Sequence, residues 1–458
     1  MKLLKTLALT AGILLLPGFV GVGNALETNY NKVIEVQDWG SVVTKLVVYL
    51  GETIPAAKIE SDSFEVKVSR SDTRVPGGLA LPQQDEKVTV LEVYISDAEG
   101  NRAAVGEYAT LALLYKSGQN SGDELIGALA SVLNYADGFN RWVDGQYTIT
   151  QKKPIGKVTD LYTNTLKKTY RPQIDLFNTS GNIREGDVTL TYADFRPSGL
   201  YRAKTVPLLV WLHGGGEGGT DATIPLAANK AVAFASPEVQ KIFGGALYVL
   251  VPQTPTRWME EAGEATADPA AAAATPTGPI TSIYTAATKA LIQKYVDQNK
   301  AIDPDRIYIG GLSNGGYLTQ LLIMDDPTYF AAAVPVASAA LDARITDEQI
   351  DSILDLPIWY VNAAKDDTVP AVINSLATYD RLIKKGASRV YYSYPADVRA
   401  FEPDGVTVVY PGHWSWIYVY NNALTQRIND VSVNLLDWLA AQSRNLAVPA
   451  RAVATPAE

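Results

Sequence analysis

Cysteine is absent from this 458-residue chain, and histidine occurs only twice, at His213 and His413. The first absence excludes disulfides, a thiolate nucleophile and a cysteine-built zinc site, and it leaves the chain indifferent to the redox state of its surroundings. The second leaves very few imidazoles for any chemistry that needs one near neutral pH. Positive charge is short as well: 39 Lys and Arg against 49 Asp and Glu give a net charge of −10. With no basic stripe along the chain, neither nucleic acid nor an anionic membrane surface is a natural partner. Apolar residues, 47% of the chain, are sufficient for a large core, and the length suggests two or three domains.

Long apolar runs are missing too, except at the start. Lys2 and Lys5 precede a mainly apolar stretch from Thr6 to Val22, followed by the small residues Gly23-Asn24-Ala25. Residues 1–25 therefore read as a cleavable secretory signal peptide, which predicts a secreted or periplasmic protein. The run is short for a bilayer span and no stop-transfer charges follow it, so no stable membrane anchor is expected. Without cysteine there is no lipid attachment at such a site.

What is present centres on Gly311-Leu312-Ser313-Asn314-Gly315. A short β-type run, Arg306 to Ile309, leads into it, and helix-capable residues from Tyr317 to Met324 follow. A serine between glycines two positions away, with a strand before and a helix after, has the form of a nucleophile elbow. The turn is so tight that side chains at the glycine positions would collide across it, and the following helix aims its free amides at the reacting centre. In this arrangement the acid and then the base follow the serine along the chain. His413, in the loop Tyr410-Pro411-Gly412-His413-Trp414, is the only histidine after Ser313 and so the candidate base. The acid should follow an intervening strand. Leu356 to Asn362 reads as that strand, and Asp366 or the adjacent Asp367, in the loop before Val369-Pro370, is the candidate.

His213 has a different setting. It ends the continuous apolar run Val206–Leu212 and opens His213-Gly214-Gly215-Gly216-Glu217-Gly218-Gly219-Thr220-Asp221. Such a loop after an early strand supplies one backbone amide to an oxyanion hole, while the residue after the nucleophile, Asn314, supplies the other. A phosphate-cradling loop would want a lysine near the following helix start, and none is there.

These motifs, together with Pro252-Gln253 and Asp303 to Ile309, make the chain resemble an α/β-hydrolase serine esterase. It looks most like secreted bacterial esterases with an N-terminal immunoglobulin-like domain, relatives of the feruloyl esterase and polyhydroxybutyrate depolymerase group. The resemblance covers roughly Leu161 to Leu439 well and the N-terminal third loosely. It implies a mostly parallel central sheet with helices on both faces, preceded by a small β-sandwich. It also implies Ser313 as nucleophile, His413 as base, Asp366 as its orienter, and Gly214 or Gly215 with Asn314 as oxyanion donors. No metal and no cofactor are required. One departure is Asn362-Ala363, where His-Gly is common in the group.

Along the chain, residues 27–153 carry period-2 strand candidates at Lys32–Gln37, Ser41–Leu50, Ser63–Arg70, Val88–Ser96, Tyr108–Tyr115 and Gln146–Gln151. These predict an immunoglobulin-like β-sandwich, with a helix from Ser121 to Ala136 and a linker at Lys152–Gly156. Residues 158–445 alternate strands and helices and predict the catalytic domain. There a capping box at Thr346 opens one helix, another runs from Pro370 to Lys385, and a closing amphipathic helix carries Leu424, Ile428, Val431, Leu435 and Leu439. Residues 260–277 form an acidic, alanine-rich insertion, a surface excursion or a lid, and 446–458 reads as a disordered tail. Trp258, Tyr317, Trp414 and Trp416 are candidate pocket walls by nearness in sequence.

The predicted function is a secreted carboxylic-ester hydrolase working through an acyl-enzyme on a small-molecule or polysaccharide-linked ester. Short-chain, acetyl and phenolic esters all fit. A peptidase of the prolyl oligopeptidase kind and a non-enzymatic binding protein on the same scaffold are the alternatives. The N-terminal domain, which carries no catalytic constellation, is expected to act by position, through packing on the hydrolase domain, building a homo-oligomer or helping to shape the site entrance, and the family resemblance leans toward assembly.

Overall fold

Strand-forming β-branched and aromatic residues dominate the first third of the molecule, and they fold as two sheets facing one another. The computed structural model describes residues 28–56, 59–72, 79–80, 85–117, 129–198, 205–262, 278–402 and 405–446. The signal-peptide segment, the tail beyond 446 and most of the acidic insertion, with its lid reading, lie outside these residues. One sheet runs in spatial order Leu166–Tyr170, Tyr30–Gln37, Gly40–Pro55, Val105–Leu113, Val90–Ser96. The other runs Tyr162–Thr163, Asp144–Gln151, Phe64–Asp72, Leu79–Ala80, with Glu86–Val88 also paired to Phe64–Asp72. Their inward residues, among them Tyr30, Leu46, Val66, Val68, Leu111 and Ile149, form one core. Each of the six predicted strands falls within or beside an observed one.

Two expectations for this unit need correction. The stretch Lys152–Gly156 is no linker: Ile155 is buried in the sandwich core, as is Leu161 beyond it. The chain then adds two more strands, Tyr162–Thr163 antiparallel to Asp144–Gln151 and Leu166–Tyr170 parallel to Tyr30–Gln37. The boundary therefore lies beyond Tyr170, because apolar residues spaced through a polar stretch were enough to keep it attached. The helix expected over Ser121–Ala136 lies partly outside the described residues, and Leu133–Ala136 is a strand paired with Phe139–Trp142 in a hairpin. Asp137 and Gly138 make its turn, both at positive φ (48° and 81°), the pairing that a two-residue hairpin favours.

The second unit is built on an eight-stranded sheet in the order Asn178–Glu185, Val188–Phe195, Tyr248–Gln253, Val206–Leu212, Ile302–Leu312, Ala332–Val336, Ile358–Val361, Val390–Ser393. The first two join antiparallel and the rest are parallel. The runs read as strands at Val206–Leu212, Arg306–Ile309 and Leu356–Asn362 all fall on observed strands, and Asn178–Glu185 forms an edge. Val206–Leu212, Ala332–Val336 and Ile358–Val361 are buried along their whole length, as parallel strands covered on both faces are, and so carry apolar runs rather than alternation. Separate cores lie on the two faces, one around Trp211, Phe234, Trp359 and Trp438, the other around Leu291, Leu318, Leu322 and Ile350.

Helix Thr285–Gln298 buries Ala287, Leu291 and Tyr295 along one face. Helix Asp347–Ser352 starts with a complete capping box between Thr346 and Gln349. The helix expected from Pro370 instead begins with a 3₁₀ turn, Ala371–Ile373, and becomes α-helical at Ser375–Lys384, with Gly386 at φ 88° beyond it. The closing amphipathic helix is mostly replaced. Thr425–Ile428 and Val431–Asn434 form a hairpin, and only Leu435–Ala440 is helical. Asn429 and Asp430 form the turn at φ 49° and 65°, and side chains that tolerate this region override the apolar spacing.

Candidate active site

The strand Ile302–Leu312 and the helix Asn314–Asp325 meet at Ser313, held at φ 54°, ψ −112°, a conformation a non-glycine residue adopts only under tight constraint. The constraint is visible in the neighbours. A Cβ on Gly315 would stand 2.2 Å from the Leu212 carbonyl oxygen, and one on Gly311 would stand 2.7 Å from the Gly315 oxygen. The Ser313 amide donates to Val336 O at 2.8 Å, pinning the turn to the adjacent strand.

His413 comes from a 3₁₀ turn, Gly412–Trp414, a hundred residues downstream, yet its Nε2 lies 3.0 Å from Ser313 Oγ. Its Nδ1 lies 3.1 and 3.0 Å from the two carboxylate oxygens of Asp366. Asp366 Oδ1 also accepts the amides of Thr368 and Val369, at 3.0 and 2.8 Å, and the carboxylate is wholly buried. Asp367 is exposed, so geometry separates the two aspartates that sequence left together. The acid and base loops touch at Gly412, where a Cβ would come within 1.9 Å of Lys365 O. The Trp416 ring stands edge-on to the imidazole at 5.1 Å. A carboxylate on Nδ1 fixes the proton there and leaves the Nε2 lone pair facing the serine, the arrangement needed to draw a proton off the hydroxyl.

His213 is fully engaged elsewhere. Its Nδ1 sits 2.6 Å from Gly214 O, so that nitrogen carries the proton, and its Nε2 accepts the Thr254 amide at 3.2 Å. Burial lowers its pKa to about 4, so the ring is neutral. It staples the glycine loop to the end of the neighbouring strand. Within that loop, Glu217 turns back on Gly214: burial pushes its pKa up to about 7, although Asn140, Asn229 and the Gly214 backbone all hydrogen-bond it. With the Gly214 amide turned to that carboxylate, Gly215 is the loop amide left for a reacting oxygen. A Cβ built on Gly215 would lie 3.8 Å from the Asn314 Cβ, so the two candidate donor residues are neighbours in space. Both open a helical turn, where no preceding turn supplies an acceptor.

Trp258 is fully buried, its ring 5.0 Å from that of His213 and 5.9 Å from that of Tyr284. Tyr317 is buried too, with its hydroxyl donating to Thr281 O at 2.7 Å. Both therefore lie in the packed interior rather than on an open wall. Trp414 is half-buried and stacks on Tyr410 at 5.7 Å. Tyr410 in turn stacks at 6.4 Å on Trp39, from the N-terminal unit.

Sequence reading left helping to shape the site entrance as one role for the N-terminal unit but named none of its residues there. Its hairpin Leu133–Ala136/Phe139–Trp142 lies against the glycine loop. Asn140 Nδ2 donates to Glu217 Oε1 at 2.8 Å, and Trp142 Nε1 donates to Thr223 Oγ1 at 2.8 Å. A Cβ on Gly218 would lie 2.7 Å from the Phe139 ring, and one on Gly216 would lie 3.2 Å from that of Tyr135. The Asp137-Gly138 pair was the unread signal for this hairpin, and nothing in the sequence says where a hairpin docks.

Comparison with known proteins agrees with this architecture. Residues 29–165 match the esterase Ig-like N-terminal domain, and residues 288–389 match the prolyl oligopeptidase family. A structure described as a thermostable esterase aligns with a TM-score of 0.69 at 26% identity, covering 91% of this chain and 99% of its own. Est1E from Butyrivibrio proteoclasticus (15% identity, 48% and 90% coverage, TM-score 0.32) and a ferulic acid esterase (12%, 53% and 94%, 0.35) also align, with scores too low to argue from. No curated protein matches. The fold is that of an α/β-hydrolase behind an immunoglobulin-like domain. The chain is a hydrolase of the esterase-like kind.

Proposed function

We propose that the protein is a serine carboxylic-ester hydrolase, exported by its N-terminal segment and acting through an acyl-enzyme on short-chain, acetyl or phenolic esters. Ser313 Oγ attacks the ester carbonyl while His413 Nε2 takes its proton, and Asp366 steadies the imidazolium. The amides of Gly215 and Asn314 hold the tetrahedral oxyanion. His413 then protonates the leaving alcohol, and water, activated by the same imidazole, releases the acid and restores Ser313. The observation that carries this reading is the unbroken run of hydrogen bonds from Asp366 through His413 to Ser313 Oγ.

The test is labelling with a serine-directed phosphonate, followed by a panel of chromogenic esters of rising acyl length set beside peptide amides. Label on Ser313 alone, with esters preferred to amides and short acyl groups to long, is the expected outcome. The prolyl oligopeptidase match over residues 288–389 favours peptidase activity as the second reading. Faster turnover of the amides would select it, and marked activation at an oil–water interface would point to a lipase.

A further inference from the structure

Arg257 lies beside the site with no counter-charge among the described residues. It follows the strand Tyr248–Gln253 on the loop that leads back over the glycine turn. From the position a Cβ would take on Gly215, its Nε is 3.7 Å away and its Cδ 3.8 Å, and Asn314 Cβ is 3.8 Å from that same point. The guanidinium therefore stands beside the candidate oxyanion donors, next to the residue that follows Ser313. Among the described residues no carboxylate pairs with it. Its hydrogen-bond partner is Gly138 O, at 3.5 Å, and its guanidinium carbon lies 5.4 Å from the centre of the Phe139 ring. Arg102, Arg141, Arg171, Arg184, Arg196, Arg344, Arg381, Arg399, Arg427 and Arg444 all have an acidic partner in this acidic protein. A guanidinium has five donors, and those of Arg257 that no protein group takes are not buried from solvent, so they remain open to an anion. Phe139 and the Gly138 carbonyl pre-set its orientation, since a cation within about 6 Å of an aromatic ring is attracted to it.

We infer that Arg257 is a specificity-determining residue that receives the negative charge of an anionic ester, one carrying a carboxylate a few bonds from the scissile carbonyl. The inference rests on the reading of Ser313 as nucleophile. It narrows the substrate class from esters in general to those with an acidic group near the reacting bond. The N-terminal hairpin takes part indirectly, by holding the guanidinium over the glycine loop.

A matched pair of aryl esters tests this: 4-nitrophenyl acetate, which is neutral, and 4-nitrophenyl hemisuccinate, which carries a carboxylate on the acyl side. Acetylsalicylate places the charge on the leaving side instead. The full-length protein should favour one of the anionic esters over the neutral one in kcat/KM, and added salt should weaken that preference. Arg257→Gln should cut the anionic-to-neutral ratio at least about tenfold, mainly through KM, as expected for loss of a charge-assisted hydrogen bond. Arg257→Lys should restore part of the ratio and Arg257→Glu should invert it. Phosphonate labelling of Ser313 and an unchanged Tm confirm that each variant is folded. An equal loss on neutral and anionic esters, or no preference in the parent, overturns the inference. Turnover persisting in Ser313→Ala would instead overturn the underlying reading of the site, so the two failures are told apart.

Discussion

The two units of this molecule differ in what their cores leave over. The hydrolase unit carries Ser313 and Asp366 beyond strands of its central sheet and His413 beyond the small hairpin Val398–Phe401/Thr407–Tyr410, each on a turn whose neighbouring glycines or amides leave it little choice of position. The N-terminal sandwich carries no such set, yet it touches the machinery from two sides. Asn140 and Phe139 abut the glycine loop, and Trp39 stacks on Tyr410, which stacks on Trp414 beside His413. Further pairs, Ser41 Oγ to Ala227 O at 3.0 Å and Lys230 to Asp38 at 2.7 Å, tie the units together. On the proposed reading one unit holds the reacting atoms, and the other buttresses the loops that place them. Chemistry should therefore fail completely when the first is altered and partially when the second is.

The largest effect should come from Ser313→Ala, which lowers ester turnover by at least about 10³-fold while Tm stays near that of the parent. Retained turnover would show that the reacting atoms lie elsewhere. His413→Ala should be nearly as severe, and it should remove the fall in activity on the acid side, which arises because a protonated imidazole cannot accept the serine proton. His213→Ala should keep that acid limb even where activity drops, because both His213 ring nitrogens are committed to Gly214 and Thr254. A pH–rate profile for each variant decides between them.

A smaller effect tests the buttress. Asn140→Ala removes a donor from a buried carboxylate, a loss of about 1–3 kcal/mol where no replacement forms. Because Glu217 in turn engages Gly214, kcat should fall about tenfold with KM little changed, while phosphonate labelling slows in step. Trp39→Ala acts at the opposite side, through the stack onto Tyr410 and Trp414. If either variant lowers Tm and leaves kcat and labelling untouched, the N-terminal unit supports the fold and not the site.

Much of this was legible in the sequence because it is local. The elbow glycines and the buried strands follow from spacing over fewer than twenty residues, and the base follows from His413 being the only histidine after Ser313. The choice between Asp366 and Asp367 was not legible, since adjacent residues differ only in which way a loop turns them. The closing segment misled because Leu424, Ile428, Val431 and Leu435 keep helical spacing, while Asn429-Asp430 breaks the chain into a hairpin. Glu217, Asn140 and Arg257 gain their roles from the docking of two units. That docking is set by shape, with Phe139 against a glycine that admits no side chain, and single-chain periodicity carries no trace of it.

The smallest predicted effect concerns the Glu217 carboxyl at this junction. Burial raises its pKa from 4.5 to about 7, so the folded protein keeps a proton that the unfolded chain releases. Its contribution to stability is therefore fully present below about pH 4.5 and lost as pH rises through about 7. His213 has the opposite sign: its pKa is lowered from 6.5 to about 4, so its contribution is present above 6.5 and lost as pH falls toward 4. Between these limits the two offset one another, and above pH 6.5 only the glutamate still changes. Tm measured from pH 6.5 to 8 should accordingly fall in the parent by the equivalent of about 1 kcal/mol more than in Glu217→Gln, roughly 2–4 °C for a domain of this size. Glutamine mimics the protonated acid and does not titrate, so it keeps the Asn140 contact while removing the slope. Parallel curves for parent and variant would mean that Glu217 is already ionised across this range, with the Asn140, Asn229 and Gly214 hydrogen bonds outweighing burial, and the loop would then be held by a full charge contributed to by both units.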